Sequence, residues 1–144
     1  MTFSKILIAN RGEIACRVIR TARNLGYQTV AVFSDADANT PHVQQADEAV
    51  RIGFAAAAES YLRVDALLDA ARKTGADAIH PGYGFLSESP ELADACAAAG
   101  LIFVGPDGPT LRLLGDKSAT RELATDHSVP VLPATIGPTR RAVA

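Results

Sequence analysis

The sequence predicts an α/β fold, an open and mostly parallel sheet covered by helices on both faces. Three observations carry that expectation. Short apolar runs at 5–9, 29–33, 76–80 and 101–104 alternate with longer stretches of helical periodicity. These runs are continuous rather than alternating, which suits strands buried on both sides of a parallel sheet. The helical stretches stop at Gly26, Gly75 and Gly100, the residue type best able to adopt the left-handed conformation that ends a helix.

Residues 5–9 (Lys-Ile-Leu-Ile-Ala) form the first strand. Asn10, Arg11, Gly12 and Glu13 turn the chain into a helix. Asn10 is expected to cap it, with Glu13 three positions on, a version of the capping-box spacing. Ile14, Ala15, Val18, Ile19, Ala22 and Leu25 lie along one stripe, and Arg17, Arg20 and Arg23 point elsewhere. Residues 29–33 form the second strand. This unit has the layout of a dinucleotide-binding unit, but its turn reads Asn-Arg-Gly-Glu. The glycines of G-x-G-x-x-G that admit a pyrophosphate are missing. A nicotinamide dehydrogenase is therefore not expected, and Asp35 and Asp37 read as loop residues.

Pro41 opens a short helix within the polar stretch 34–45, and 48–52 form a weaker third strand ended by Gly53. Val64, Leu67, Leu68 and Ala71 follow helical spacing, and 76–80 form the fourth strand. Ser89 caps and Pro90 opens the next helix, whose inward face is Leu92, Ala93, Cys96 and Ala99. Residues 101–104 form the fifth strand, broken by Gly105 and Pro106. A short helix at 110–114 follows, then another from Lys117 to about 126, capped by Asp116. Residues 129–132 are expected as a last edge strand, with Pro130 arguing against a central place. The domain is placed at 1–132 and a linker at 133–144.

A chain of 144 residues is one domain, large enough to bury about 70% of its unfolded surface. Hydrophobic residues make up 48% and charged residues 21%, the balance of a soluble globular protein. A net charge of -2 gives no general pull towards nucleic acid or anionic membrane. No apolar run has spanning length and no secretory pattern opens the chain, so a cytoplasmic location is expected. Cys16 and Cys96 read as buried thiols. His42, His80 and His127 are too widely separated to suggest a metal site.

Chemistry-bearing residues concentrate at 80–88, His-Pro-Gly-Tyr-Gly-Phe-Leu-Ser-Glu, after the fourth strand. A proline and two glycines mark a shaped loop there. Ligands in open α/β sheets sit at that carboxyl end. A plain connection needs no His, Tyr and Glu so close together. Lys117 is the second informative residue. A lysine in the first turn of a helix opposes the dipole, costing about 0.3–1 kcal/mol when exposed. A bound phosphate would reverse the sign. By itself Lys117 reads as a solvated surface lysine.

The stretch 5–17, Lys-Ile-Leu-Ile-Ala-Asn-Arg-Gly-Glu-Ile-Ala-Cys-Arg, resembles the opening of the biotin carboxylase component of biotin-dependent carboxylases. Asp47-Glu48-Ala49, Ser60-Tyr61-Leu62, the 80–88 loop, Phe103-Val104-Gly105-Pro106 and Gly115-Asp116-Lys117 fall in that family's order and close to its spacing. The wording is similar to the acyl-CoA carboxylase alpha-subunit branch, of propionyl-, methylcrotonyl-, geranyl- or acetyl-CoA type. The resemblance implies a Rossmann-like pre-ATP-grasp domain leading an enzyme that carboxylates biotin. That enzyme uses MgATP to activate bicarbonate as carboxyphosphate and transfers the carboxyl group to N1 of biotin on a carrier protein.

The resemblance also implies site residues. Lys117 would contact ATP phosphates, while Gly82, Tyr83 and Gly84 would border the biotin and bicarbonate pocket. His80 and Glu88 would shape the loop. Arg20 would lie at a subunit interface, where Asn24 departs from an acidic partner position. The implied cofactors are ATP, Mg2+ and biotin. The implied partners are the ATP-grasp remainder of the enzyme, the biotin carboxyl carrier protein, a carboxyltransferase subunit and a second copy of the chain.

The family's glycine-rich lid, magnesium ligands and bicarbonate arginines belong to a following ATP-grasp region that these residues do not match. Ala134 stands where glycine is usual. No residue is therefore assigned a catalytic role, and the chain alone is expected to be inactive. Two other classes stay open. One is a non-catalytic nucleotide-binding or subunit-interaction module. The other is an ATP-grasp relative such as carbamoyl-phosphate synthetase, against which the wording of 80–88 argues.

Overall fold

The structure is a computed structural model and describes residues 3–133. Five strands, β1 (Lys5–Ile8), β2 (Gln28–Ser34), β3 (Glu48–Gly53), β4 (Ala78–His80) and β5 (Ile102–Phe103), form one sheet in the order β3-β2-β1-β4-β5. Every pairing is parallel, so the expected α/β sheet is present. The helices are α1 (Gly12–Asn24), α2 (Pro41–Gln45), α3 (Val64–Thr74), α4 (Pro90–Ala98), α5 (Gly108–Gly115) and α6 (Lys117–Asp126).

Strand β1 shows why the sheet is covered on both sides. Successive side chains of a strand point to opposite faces. Ile6 and Ile8 pack with Ala15, Ile19 and Ala22 of α1. Leu7 packs on the other face with Leu67, Ala70 and Ala71 of α3 and with Leu92 and Cys96 of α4. Leu7 and Ile8 are fully buried, and each such side chain contributes about 1.5–3 kcal/mol through burial. Helix α2 packs on α1 and β2, α5 on α4, and α6 on α5. None of the helices among the described residues is long and apolar enough to cross a membrane.

The strand order reverses between β1 and β4. From β1 the chain runs through β2 to β3, and then returns by α3 to β4 on the other side of β1. A sheet of this kind has its natural crevice at the carboxyl ends of those two strands. The loop singled out at 80–88 leaves β4 at that point.

Several expected details differ. Helix α1 has Arg11, not Asn10, as its N-cap residue, with no side-chain cap bond, because Asn10 is engaged elsewhere. Leu25 is 68% exposed rather than on the buried stripe. It is the C-cap residue of α1, so the helical period no longer directs it. Ala99 is exposed for the same reason at the end of α4. Residues 129–132 form no strand. The Val129 amide is spent on the Ala124 carbonyl at 2.8 Å, and Pro130 has no amide to offer a ladder. Cys96 is buried as expected, whereas Cys16 is only half-buried. Of the linker expected at 133–144, Ala134 and everything after it lie outside the described residues.

Gly53 ends β3 with φ +152°, and a Cβ there would meet the Glu59 carbonyl oxygen at 1.9 Å. A backbone oxygen cannot move aside as a flexible side chain can. Gly100, with φ +72°, has nothing within 4 Å of a built Cβ. Gly53→Ala is therefore expected to cost about 2–4 kcal/mol in urea unfolding, and Gly100→Ala only about 1 kcal/mol. Equal losses in the two variants would refute the contact at Gly53.

Candidate functional site

The loop after β4 is held at two places. The first hold is Asn10, which is 2% exposed. Its Nδ2 donates to the Pro81 carbonyl at 2.8 Å and to the Tyr83 carbonyl at 2.9 Å. Its Oδ1 accepts the Arg11 amide at 2.9 Å. A carboxamide nitrogen carries two N–H donors, and both are used. The side chain thus crosses from the end of β1 to the β4 loop, which is why it does not cap α1.

Two carbonyls can converge on one nitrogen only if the residue between them turns sharply. Gly82 does so with φ +69°, and a Cβ on it would lie 2.8 Å from Asn10 Nδ2 and 2.9 Å from Ile14 Cγ2. No other residue type fits that position. The Gly82 amide donates to His80 Nδ1 at 3.0 Å. Burial holds the His80 pKa below its ordinary value, which favours the neutral imidazole that this acceptor role requires.

The second hold is aromatic. Phe85, at φ +45°, stacks on Tyr61 with ring centroids 5.1 Å apart and planes 5° apart. The Arg11 guanidinium lies 5.5 Å from the Tyr61 ring and 5.6 Å from the Phe85 ring, within the range of a cation–π contact. Tyr61 is fully buried. Its hydroxyl donates to Asp37 Oδ2 at 2.7 Å and accepts the Ser34 amide at 3.1 Å. Asp37 Oδ2 also accepts from Ser34 Oγ at 2.8 Å and from Arg11 Nη1 at 3.3 Å.

Burial, reinforced by the Asp37 carboxylate, pushes the Tyr61 pKa up to about 12. For Asp37 burial acts upwards, but the bonds from Tyr61, Ser34 and Arg11 outweigh it and hold the carboxyl below its usual range. The pair is therefore a neutral phenol on a charged carboxylate. His42, fully buried, lies beneath the start of α1. Its Nε2 faces the Val32 carbonyl at 3.2 Å, an acceptor only, so the proton is on Nε2. Nδ1 then accepts the Gly12 amide at 3.4 Å.

Between the two holds, Tyr83 is 67% exposed. Gly84, at φ +69°, has open space where a side chain would stand. Tyr83 and His80 border a groove of about 290 Å³ that is also lined by Arg17, Val18 and Thr21 of α1 and by its C-cap residue Leu25. The loop is fixed in its backbone and open on its face, the geometry of a pocket wall.

The expected site residues fall on three separate elements. Gly82, Tyr83 and Gly84 share the β4 loop. Lys117 is the first residue of α6, where the Asp116 carboxylate already accepts the Ser118 and Ala119 amides at 2.8 and 3.0 Å. Lys117 is exposed and has no ion pair among the described residues. Arg20 and Asn24 are exposed on α1. Glu88 is exposed too, so of the two loop-shaping roles only His80's has a hydrogen bond behind it among the described residues. The sequence reading missed Asn10 as a loop anchor, and Tyr61, His42 and Asp37 as its support. The available signal was a run of polar side chains at the carboxyl ends of two apolar strands.

The burial of His42 also lowers its pKa, and His80 shifts the same way. A depressed histidine means that the folded state binds fewer protons than the unfolded state. Its contribution is complete above the ordinary value of about 6.5 and is lost as pH falls towards the folded value. Scanning calorimetry should show Tm falling from about pH 7.5 to about pH 5, with a flatter dependence in His42→Asn. An unchanged slope in that variant would refute the buried neutral imidazole.

The family described as biotin carboxylase, N-terminal domain, matches residues 2–111. The chain is 59% identical over 129 residues to the mitochondrial methylcrotonoyl-CoA carboxylase subunit alpha of Oryza sativa subsp. japonica, covering 90% of this chain and 18% of that protein. It is 53% identical over 135 residues to the propionyl-CoA carboxylase alpha chain of Ruegeria pomeroyi, covering 94% of this chain and 20% of that one. The chain thus spans about a fifth of the length of these curated relatives. Its fold superposes with a TM-score of 0.88 on the biotin carboxylase domain dimer of the Hydrogenobacter thermophilus 2-oxoglutarate carboxylase, in complex with MgADP, ADP and bicarbonate. That match has 44% identity and covers 94% of this chain and 30% of the other. With the family match over residues 2–111, these identities and a shared fold, the chain belongs to the biotin carboxylase N-terminal domain family.

Proposed function

We propose that this chain serves as the leading domain of a biotin carboxylase. It works with an ATP-grasp remainder to carboxylate biotin on a carrier protein, and a carboxyltransferase uses the product. The observation that carries this reading is the doubly held loop that presents the Tyr83 ring. A wall whose backbone is already ordered spares a ligand the cost of ordering it on binding. Its open aromatic face suits a flat, uncharged heterocycle such as the ureido ring of biotin. The bare backbone at Gly84 allows close approach beside it.

MgATP would supply the phosphoryl group that activates bicarbonate. Among the described residues no group of three or more acidic, His or Cys side chains can hold a metal ion. The magnesium ligands are therefore assigned to the remainder of the enzyme. Lys117 is assigned to the ATP phosphates. Because Asp116 occupies the first amides of α6, the attraction comes from the ammonium group rather than from the helix terminus. Tyr83 and the glycines exclude water from one side of the pocket, and neutral His80 keeps Gly82 in its turn. The exposed face of α1 that carries Arg20 and Asn24 is assigned to contact with a second copy.

Two outcomes follow from this division of labour. The chain of 144 residues should show no bicarbonate-dependent, biotin-stimulated ATP hydrolysis, whereas the same residues joined to the remainder of the Ruegeria pomeroyi relative should. Clear activity of the chain alone, abolished by Lys117→Ala, would overturn the proposal. In the joined enzyme Lys117→Ala removes one charge-assisted contact, so KM for ATP should rise by about 10- to 100-fold. KM for biotin should stay within about twofold, since the contact removed is to phosphate. A matched rise in both constants would speak against a phosphate contact at Lys117.

A further inference from the structure

We propose that Asn10 is the positioning residue for Tyr83, its carboxamide setting where that ring meets bound biotin. The inference rests on the reading of Tyr83 as a wall of the biotin pocket. Three observations carry it. The two N–H groups of Asn10 are spent on the carbonyls of Pro81 and Tyr83, at 2.8 and 2.9 Å, so the side chain has no donor left for another partner. Gly82 is packed onto Asn10 so closely that a built Cβ would lie 2.8 Å from Nδ2, which leaves the turn no room to slide. The second hold begins only at Phe85, so the placement of Tyr83 itself depends on the Asn10 bond to its carbonyl.

Asn10 is 2% exposed and Tyr83 67% exposed. Asn10 therefore acts from beneath the loop, through Tyr83, and does not touch the ligand. The chemistry is also selective. Only a group with two hydrogens on one nitrogen can serve both carbonyls. An aspartate of the same shape would place negative oxygen against two carbonyl oxygens. Protonated, it would recover one donor. A residue that merely stabilised the sheet would not link pH, loop order and biotin affinity in this way.

The test has two arms. In the full chain, amide exchange by NMR is followed at Gly82 and Ser87, whose amides bond to His80 Nδ1 and to the Gly84 carbonyl. Asn10→Asp should speed their exchange about tenfold or more relative to the unchanged chain at about pH 7.5, with Leu7 and Ile79 unaffected. At about pH 5 the ratio should fall as the carboxyl regains a proton. A ratio near one at both pH values would overturn the proposal. If the aspartate variant does not fold, Asn10→Ser, which keeps one donor and does not titrate, should speed the same two amides at both pH values without a change in the ratio between them. Loss of the whole fold in both variants would make Asn10 purely structural and would also overturn it.

In the second arm, the chain is joined to the remainder of the Ruegeria pomeroyi relative. Asn10→Asp should raise KM for biotin about tenfold more than KM for ATP. Equal changes in the two constants would count against positioning. If the joined enzyme with Asn10 intact shows no biotin-stimulated turnover, the biotin reading itself fails. The exchange arm then still decides whether Asn10 places Tyr83.

Discussion

The carboxamide of Asn10 closes the crevice between β1 and β4, and the rest of the site is arranged around that closure. In an open parallel sheet this crevice is where a ligand would enter. Here the protein fills it, with Asn10 Nδ2 bonded to two carbonyls and Gly82 pressed against the side chain. The first turn therefore has no need of the glycines that admit a pyrophosphate. The exposed surface at this end of the sheet lies one layer further out, on Tyr83 and Gly84.

Diverting Asn10 from α1 leaves the first amide of that helix without the expected cap, and His42 takes over part of the role. Its Nδ1 accepts the Gly12 amide, while the Val32 carbonyl holds the tautomer that makes this acceptor available. A buried polar group stabilises a fold only when its partners are complete. Among the described residues no buried side-chain nitrogen or oxygen lacks a partner. The network of Arg11, Asp37, Ser34 and Tyr61 satisfies the same rule with one carboxylate oxygen. A ring stacked on it, Phe85, inherits its rigidity. The loop is thus ordered by hydrogen bonds on one side of Tyr83 and by aromatic packing on the other.

This arrangement divides the proposed chemistry in space. The loop proposed as a biotin wall rises from the sheet's carboxyl end, and the lysine proposed for phosphates stands on α6, which packs on α5. The described residues bring no metal-holding group to either place. The two places lie on separate elements, and the chain spans about a fifth of the length of its curated relatives.

The sequence by itself determined the alternation of strands and helices, the parallel sheet and the shaped loop that leaves β4. Those features follow from local periodicity, from continuous apolar runs and from glycine and proline at fixed places. Family membership was legible for the same reason, since its motifs are short and lie in order along the chain. Only the tertiary structure decided that Asn10 serves a loop 71 to 73 residues away rather than the helix beside it. It also decided that His42 and Tyr61 are interior, and that 129–132 stay out of the sheet. Asn10, His42 and Tyr61 each offer hydrogen bonds that several partners can accept, and which partner wins depends on distant backbone brought close by the sheet. No local pattern encodes that choice, because a capping asparagine and an anchoring asparagine look the same until the chain has folded.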